Sequence, residues 1–309
     1  MNALETNFLL LFLSNGRKNA SCYRINDADV MTEHSNESAV RELAAYLQER
    51  SQKIDKIFLF SSRDTKKQLP STDMTTVDFF ASRIKEIVPA ENIIIVDYDE
   101  NNSIDRSLSD IGNMGTIILS EAKKIQREQG TAGNITIHAD MTGGMRNASM
   151  MMLGVMRLLN FSGLQMGRIL YSNFSFNRKI NFVEDSQDVY RFFDLVAGAT
   201  EFAKYGSVEK LADYYNIYEQ KPYPAECGLN RELYELVNAM GYFAQSIKLC
   251  RYGELQDACA LLAEKMQAFT NQERWNYDAN DKLFEALLPT IKESYKTVLS
   301  AHDDLDIIT

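Results

Sequence analysis

The stretch NITIHADMTGGMRNASMMMLGVMRLL, residues 134–159, predicts a strand, a tight turn and a helix in immediate succession. A short apolar run reaches Asp140, two glycines and Arg146 follow, and a long apolar segment comes next. A buried strand that leads directly into a buried helix is typical of a parallel sheet, because parallel neighbours need a crossover connection. The stretch therefore favours an α/β fold.

The first half of the chain repeats this alternation of apolar strands and amphipathic helices. Such a pattern indicates a mostly parallel, Rossmann-like sheet with helices on both faces. The predicted strands are 7–13, 54–60, 92–97, 134–139 and 166–172, with a short extra strand or hairpin at 20–25, and the predicted helices are 36–50, 74–88, 104–129 and 145–160.

Beyond about residue 188 only helical periodicity continues, which predicts an all-α domain after the α/β domain. The one proline-rich break in this half is EQKPYPAECG at 219–228. We therefore place the domains at 1–187 and 188–309.

Composition and charge limit the classes of function. The chain has 309 residues and a net charge of −10, which argues against binding a long nucleic acid through its phosphates. No apolar run is long enough to span a bilayer. Four cysteines show no C-x-x-C pairing, so we expect reduced thiols, a cytoplasmic location and no metal site.

The loops after three of the predicted strands are polar and basic. In an open parallel sheet, ligands bind beyond the carboxyl ends of the strands. The loops are SNGRKN at 14–19 with Arg17, SSRDTKK at 61–67 with Arg63, and DMTGGMRN at 140–147 with Arg146. We expect a small anionic ligand there, the alternative being that surface loops are simply charged.

The DMTGGMRN loop has the most specific chemistry. Adjacent Gly143 and Gly144 would let backbone N–H groups approach a phosphate at the start of a helix. Thr142 adds a hydroxyl, and Arg146 adds a forked cation suited to phosphate. The alternative is a tight strand-to-helix turn capped by Asp140 or Thr142. His138, inside the strand, is expected to be a core histidine.

Three familiar site types do not fit. G-x-G-x-x-G does not follow the first strand, and G-x-x-x-x-G-K-[ST] is absent, which excludes ordinary dinucleotide binding and a P-loop NTPase. Asp97 and Asp99 faintly resemble the Asp-x-Asp magnesium site of haloacid-dehalogenase-type phosphatases. Without a lysine or acidic partner motif, a solvated acidic loop is the better interpretation.

An SNG loop after the first strand and DMTGGMR before an apolar helix resemble the CARF family, the CRISPR-associated Rossmann-fold sensors of type III systems. The resemblance covers roughly residues 5–185 and is nearest to Csm/Csx-type effectors. By position, the motif of the fourth strand corresponds to Asp140, Thr142, Gly143, Gly144, Met145 and Arg146, and the loop of the first strand to Ser14, Asn15 and Gly16.

The resemblance implies a homodimer that binds a cyclic oligoadenylate second messenger, by family preference the tetra-adenylate, in a pocket at the dimer interface. It implies no cofactor and no membrane partner. The candidate ligand-binding residues are Ser14, Asn15, Gly16, Arg17, Ser62, Arg63, Asp140, Thr142, Gly143, Gly144, Met145, Arg146 and Asn147.

Three alternatives stay open. Some CARF domains cleave their own messenger through attack of a ribose 2′-hydroxyl, for which Ser14, Thr142 and Arg146 are the candidates.

Relatives commonly carry a HEPN ribonuclease with an Arg-x4-6-His motif. No arginine precedes His34, His138 or His302 at that spacing, so 188–309 is expected to be a connecting helical region, either of a standalone sensor or of the sensor part of a longer HEPN ribonuclease. A DNA-binding regulator is disfavoured by the mostly acidic helices.

Overall fold

The computed structural model describes residues 5–16, 20–70, 72–99, 104–128, 134–144, 147–217, 223–224, 228–272 and 278–297. These residues form two compact units, 1–188 and 189–309. Each unit has its own hydrophobic core.

The first unit contains an eight-stranded, mostly parallel sheet with helices, so the predicted α/β class is confirmed. The strand order is β3-β2-β8-β7-β6-β1-β4-β5, and only the β2–β3 and β7–β8 pairs are antiparallel. The strands are β1 (Thr6–Phe12), β2 (Ser21–Ile25), β3 (Ala28–Thr32), β4 (Lys56–Ser61), β5 (Ile93–Asp97), β6 (Ile135–Asp140), β7 (Gln165–Asn173) and β8 (Asn181–Asp185).

Strand β1 is the centre of the sheet, and every one of its residues is buried. It pairs in parallel with β4 on one side and with β6 on the other. Leu9 and Leu11 belong to the core beneath the first two helices. Since side chains alternate between faces, Phe8 lies on the opposite face, where its ring packs 5.2 Å from that of Phe58.

The helices of the first unit are α1 (Ser35–Gln48), α2 (Thr76–Ile84), α3 (Ile104–Glu128) and α4 (Ala148–Phe161). Helix α1 packs on α2 and on β7, whereas α3 packs on α4. Helix α2 begins with a capping box in which Thr75 and Asp78 satisfy each other's backbone N–H groups. Helix α1 thus covers a strand, β7, that comes much later in the chain.

A buried ion-pair network joins α1 to α2. Glu37 accepts hydrogen bonds from Arg41 at 2.9 Å and from two nitrogens of Arg83 at 3.1 Å. Burial by itself would raise the pKa of Glu37, but the bonds from Arg83, from the Glu33 N–H and from Arg41 together lower it. The carboxylate therefore stays charged and fixes the start of α1 against α2.

The sequence did not predict β3 and β8, the two short strands at one end of the sheet. It placed the start of α2 at 74 and that of α4 at 145, whereas α2 begins at Thr76, directly after its cap, and the described α4 begins at Ala148. The short strand predicted at 20–25 is β2, which forms a hairpin with β3.

The second unit is helical: the described residues contain α5 (Gln187–Tyr205), α6 (Glu209–Tyr215), α7 (Arg231–Lys248), α8 (Tyr252–Asn271) and α9 (Ala279–Ser294). Its core packs aromatic rings edge to face, for example Phe269 against Phe284. The Tyr295 hydroxyl donates to the Phe202 carbonyl and ties the end of α9 to α5. No helix in the described ranges is long and apolar enough to cross a membrane.

We expect Phe58→Ala to lower the free energy of unfolding of the first unit by about 3–5 kcal/mol, because the ring is fully buried beside Phe8. Hydrogen exchange of the β1 and β4 amides measures this change. Phe161→Ala is the matched control, since the Phe161 side chain is 91% exposed. Equal effects of the two variants would contradict the assigned core.

Candidate functional site

The candidate site lies at the carboxyl edge of the sheet, where β1 and β6 end side by side. Asp140 is the last residue of β6 and pairs with Leu11 of β1. Ser14 follows β1, and α1 begins at the same edge behind its N-cap residue His34. The loops after two adjacent strands and one helix start therefore meet at this point.

Asn36, in the first turn of α1, is the centre of this meeting point. Its Nδ2 donates to Asp140 Oδ2 at 2.6 Å and to the Phe12 carbonyl at 3.1 Å. Its Oδ1 accepts from the Ser14 backbone N–H at 2.9 Å and from the Ser14 hydroxyl at 2.8 Å. The amide makes four hydrogen bonds, which is its full capacity.

Hydroxyl groups extend the network from Asn36 to β7. The Ser14 hydroxyl lies 2.6 Å from that of Ser35, and the Ser38 hydroxyl lies 2.7 Å from that of Ser172. Thr142 Oγ1 accepts from the Ser172 backbone N–H at 2.9 Å. We call this set the Asn36 cluster; its members are Ser14, Ser35, Asn36, Ser38, Asp140, Thr142 and Ser172.

Asp140 is the one acidic member of the cluster and is completely buried. Burial raises the pKa of its carboxyl to about 6, although bonds from Thr142 and Asn36 oppose the rise. Oδ1 accepts from the Thr142 N–H at 2.9 Å, and Oδ2 accepts from Asn36. Both oxygens are thus directed into the protein, where they hold the β6 loop in place.

His34 closes the cluster on the side of α1. Its Nδ1 accepts from the Asn36 N–H at 3.2 Å, and its Nε2 therefore donates to the Ser14 carbonyl at 2.9 Å. The ring packs 5.1 Å from that of Phe80 on α2. These contacts make His34 a helix cap that holds the Ser14 loop.

Packing explains both glycines of the β6–α4 loop. A Cβ atom at Gly143 would lie 1.9 Å from the Phe12 carbonyl oxygen and 2.9 Å from the Ser14 nitrogen. Gly144 has a φ of +90°, and a Cβ there would lie 2.4 Å from Ala148 Cβ. The two loops therefore touch, and glycine is required at the contact.

The loop after β4 is separate from the Asn36 cluster. Lys66 pairs with Asp97 at 2.5 Å, Arg63 lies 3.9 Å from Asp99, and Lys67 pairs with Asp64. The basic character expected of this loop is therefore largely neutralised by acidic groups of its own and of β5. The Arg63 side chain is 83% exposed. Strand β1 lies between β4 and β6, so the end of β4 is one strand further from the end of β6 than the end of β1 is.

The other residues predicted to bind the ligand lie in different environments. Asn15 is exposed, and Gly16 packs near Leu69 of the loop after β4. Ser62 is buried, and its carbonyl accepts from Thr65 at 2.9 Å. Asn147 is the N-cap residue of α4 without a side-chain capping bond. Three predicted residues, Arg17, Met145 and Arg146, lie outside the described residues.

Sequence reasoning missed the residues that α1 and β7 contribute to the cluster. Ser35, Asn36 and Ser38 lie in the run HSNES at 34–38, which is polar yet buried at the start of a helix. The run has the composition of a helix N-terminus, and that was the available signal. Ser172 gave no signal, because it is one polar residue within an apolar strand.

His138 is a satisfied core histidine, as predicted. Its Nδ1 accepts from the Arg168 backbone N–H at 2.9 Å, and its Nε2 donates to Asn7 Oδ1 at 3.2 Å. Burial and, to a smaller extent, the charge of Arg168 lower the pKa of His138 to about 4, while the charge of Asp185 opposes the change. The imidazole is therefore neutral at physiological pH and belongs to the structure of the sheet.

The polar groups of the Asn36 cluster are hydrogen-bonded to one another, so they form a rigid polar surface and not a set of free reactive groups. The hydroxyls of Ser14 and Thr142 are both engaged in hydrogen bonds within the protein. Within the described ranges, no group of three His, Cys, Asp or Glu side chains is placed to hold a metal ion. At this carboxyl edge, the described loop residues are held by hydrogen bonds to one another and to α1.

Comparison with known proteins finds similarity among solved structures. No family model and no curated protein matches the sequence. Among solved structures, the chain is similar to Enterococcus italicus Csm6 bound to cyclic hexa-2′-fluoro-hexa-dAMP, with a TM-score of 0.40 and 12% sequence identity. The match covers 85% of this chain and 61% of that one, so the chain spans less than two thirds of that protein's length. A likeness at this level assigns no function to this chain.

We expect Asn36→Ala to lower the free energy of unfolding of the first unit by about 1–3 kcal/mol, because Asp140 and the Ser14 N–H lose a buried partner. Hydrogen exchange of the β1 and β6 amides measures the change. Asn113→Ala, at an exposed position of α3, is the matched control. A variant as stable as this control would show that the cluster does not hold the loops.

The pKa of Asp140 makes a second prediction. Since burial raises the pKa of Asp140 from its ordinary value of 3.8 to about 6, the native state binds the proton more tightly than the unfolded chain. The contribution of Asp140 to stability is therefore most favourable below about pH 4 and is lost as the pH rises through about 6, a change of about 3 kcal/mol.

A carbon-13 NMR titration of the Asp140 carboxyl measures this pKa directly. We expect a midpoint near 6, and a higher midpoint in Asn36→Ala, because the Asn36 bond lowers the pKa. A midpoint near 4 in the parent protein would contradict the burial of this carboxylate.

Proposed function

We propose that this chain is a sensor that binds a cyclic oligoadenylate in type III CRISPR antiviral defence. The observation that carries the proposal is the contact between the two loops that resemble the CARF motifs, after β1 and after β6. Ser14 and Gly143 lie against each other at the carboxyl edge, on the floor formed by Asn36 and Asp140. The two motifs are about 125 residues apart in sequence, and their contact in the fold supports one shared site.

The charge distribution supports a small anionic ligand. The chain as a whole carries a net charge of −10, which disfavours a long polynucleotide. In the sequence, Arg17 follows three residues after Ser14, and Arg146 follows three residues after Gly143. One arginine thus follows each of the two touching positions, and a guanidinium suits a phosphodiester through bidentate hydrogen bonds.

The proposal includes a homodimer. A ring of identical nucleotides has rotational symmetry, and a two-fold site made of two copies of this edge would match it. We expect cyclic tetra-adenylate to be the preferred ring. The helical unit would pass the binding signal to an effector. It would do so because the ligand-free and ligand-bound states of the dimer have different affinities for that effector.

Binding is favoured over cleavage of the ring by the state of the two candidate hydroxyls. In-line attack needs groups that are free to contact phosphate oxygens. The Ser14 hydroxyl is bonded to Ser35 and Asn36, and Thr142 Oγ1 accepts from the Ser172 N–H. We therefore assign these residues to positioning the loops.

We expect the purified chain to bind cyclic tetra-adenylate in calorimetric titrations that also include the tri- and hexa-adenylate rings. Chromatography of the recovered ligand should return the ring intact, and sedimentation should give the mass of a dimer. Arg146→Ala should abolish binding while the dimer mass and the thermal unfolding curve stay unchanged, because the proposal assigns Arg146 to a phosphate of the ligand.

The matched control is Arg231→Ala, which removes an exposed arginine of the helical unit that pairs with Glu235. This variant should bind like the parent. Binding by Arg146→Ala at parental strength would place the site elsewhere. Linear products in the recovered ligand would make the chain a ring nuclease, and no binding of any ring by the parent would refute the proposed function.

A further inference from the structure

The loop between β7 and β8, residues 174–180, lies at the same edge of the sheet as the Asn36 cluster. Strand β7 runs parallel to β6, so both strands end at the carboxyl edge. Strand β8 runs antiparallel to β7 and begins there, with Asn173 paired to Phe182. This loop was not among the predicted ligand-binding segments.

Hydrogen bonds hold the loop next to the cluster. Thr142 Oγ1 accepts from the N–H of Ser172, two residues before the loop begins. Asn181, at the other end, accepts from the Ser175 N–H at 2.9 Å and donates to the Cys22 carbonyl at 3.1 Å. An internal turn, from the Arg178 N–H to the Ser175 carbonyl at 3.2 Å, completes the loop. The loop therefore has a defined shape.

The side chains of this loop are unusual for an exposed turn. Phe174 and Phe176 pack edge to face with ring centroids 4.8 Å apart, and the Phe176 side chain is 94% exposed. Arg178 and Lys179 follow within three residues and are also exposed. An exposed phenylalanine costs solvation free energy, and here two cations accompany it on a strongly acidic chain.

An exposed aromatic ring next to two cations is suited to binding a nucleotide. Single-stranded nucleotides are bound by aromatic rings on which the bases stack, together with cations that contact the phosphates. The edge-to-face contact with Phe174 supports the Phe176 ring from one side, and the exposure of the side chain shows that much of its surface is open.

We propose that the β7–β8 loop is the base-stacking element of this site. Phe176 stacks on a purine base of the ligand, Phe174 supports the ring, and Arg178 and Lys179 contact the adjacent phosphodiester. The inference rests on the proposed function, because it assigns to the cyclic oligoadenylate a contact outside the two motif loops. It also gives the site selectivity for a ligand with bases over a simple polyphosphate.

The test is a titration of the parent, Phe176→Ala and Phe176→Trp with cyclic tetra-adenylate and, separately, inorganic tripolyphosphate. We expect Phe176→Ala to weaken ring binding by about ten-fold or more. Phe176→Trp should keep the affinity, and adenine stacking should quench its added fluorescence relative to the parent. Phe161→Ala is the matched control: its ring is equally exposed, at 91%, but lies at the end of α4, away from the carboxyl edge.

The outcomes separate the two proposals. If the parent binds the ring and Phe176→Ala binds as tightly as Phe161→Ala, the stacking role is refuted while the proposed function stands. If the parent binds no ring, both are refuted. If tripolyphosphate binds as tightly as the ring, the site recognises phosphate alone, and the stacking inference is wrong.

Discussion

The hydrogen bond between Asn36 and Asp140 is the contact on which the carboxyl edge of the sheet depends. It joins the first turn of α1 to the last residue of β6, and the same amide holds the Ser14 loop after β1. A fully buried carboxylate needs such donors, because burial alone strongly disfavours its charge. Removing the amide would leave Asp140 and two loops without their common partner.

Much of the fold could be predicted because its central strands are buried on both faces. The apolar run of β1 is enough by itself to predict a strand. In contrast, β3 and β8 are short and largely exposed, so their sequences resemble loops. They form strands because β3 pairs with β2 and β8 pairs with β7. The periodicity of the sequence does not indicate such pairing.

The site was predictable only where one segment contained its own signal. The glycines beside Asp140 mark a strand-to-helix turn, but the partner Asn36 lies 104 residues away. The ligand-binding residues were predicted only in the loops that follow strands, so the start of α1 was missed. Conversely, the lysine and arginine residues of SSRDTKK suggested free cations, and only the sheet order brings the acidic Asp97 and Asp99 to them.

Gly143 has a consequence for how relatives of this chain are to be compared. Because any side chain there would collide with the Phe12 carbonyl, selection for folding alone preserves the glycine. A homologue that binds no ligand would still keep the Gly-Gly pair, so the pair alone is no evidence of ligand binding. An exposed position outside the hydrophobic core, such as Phe176, is free to change wherever no ligand selects its side chain. Retention of an aromatic there is the informative character.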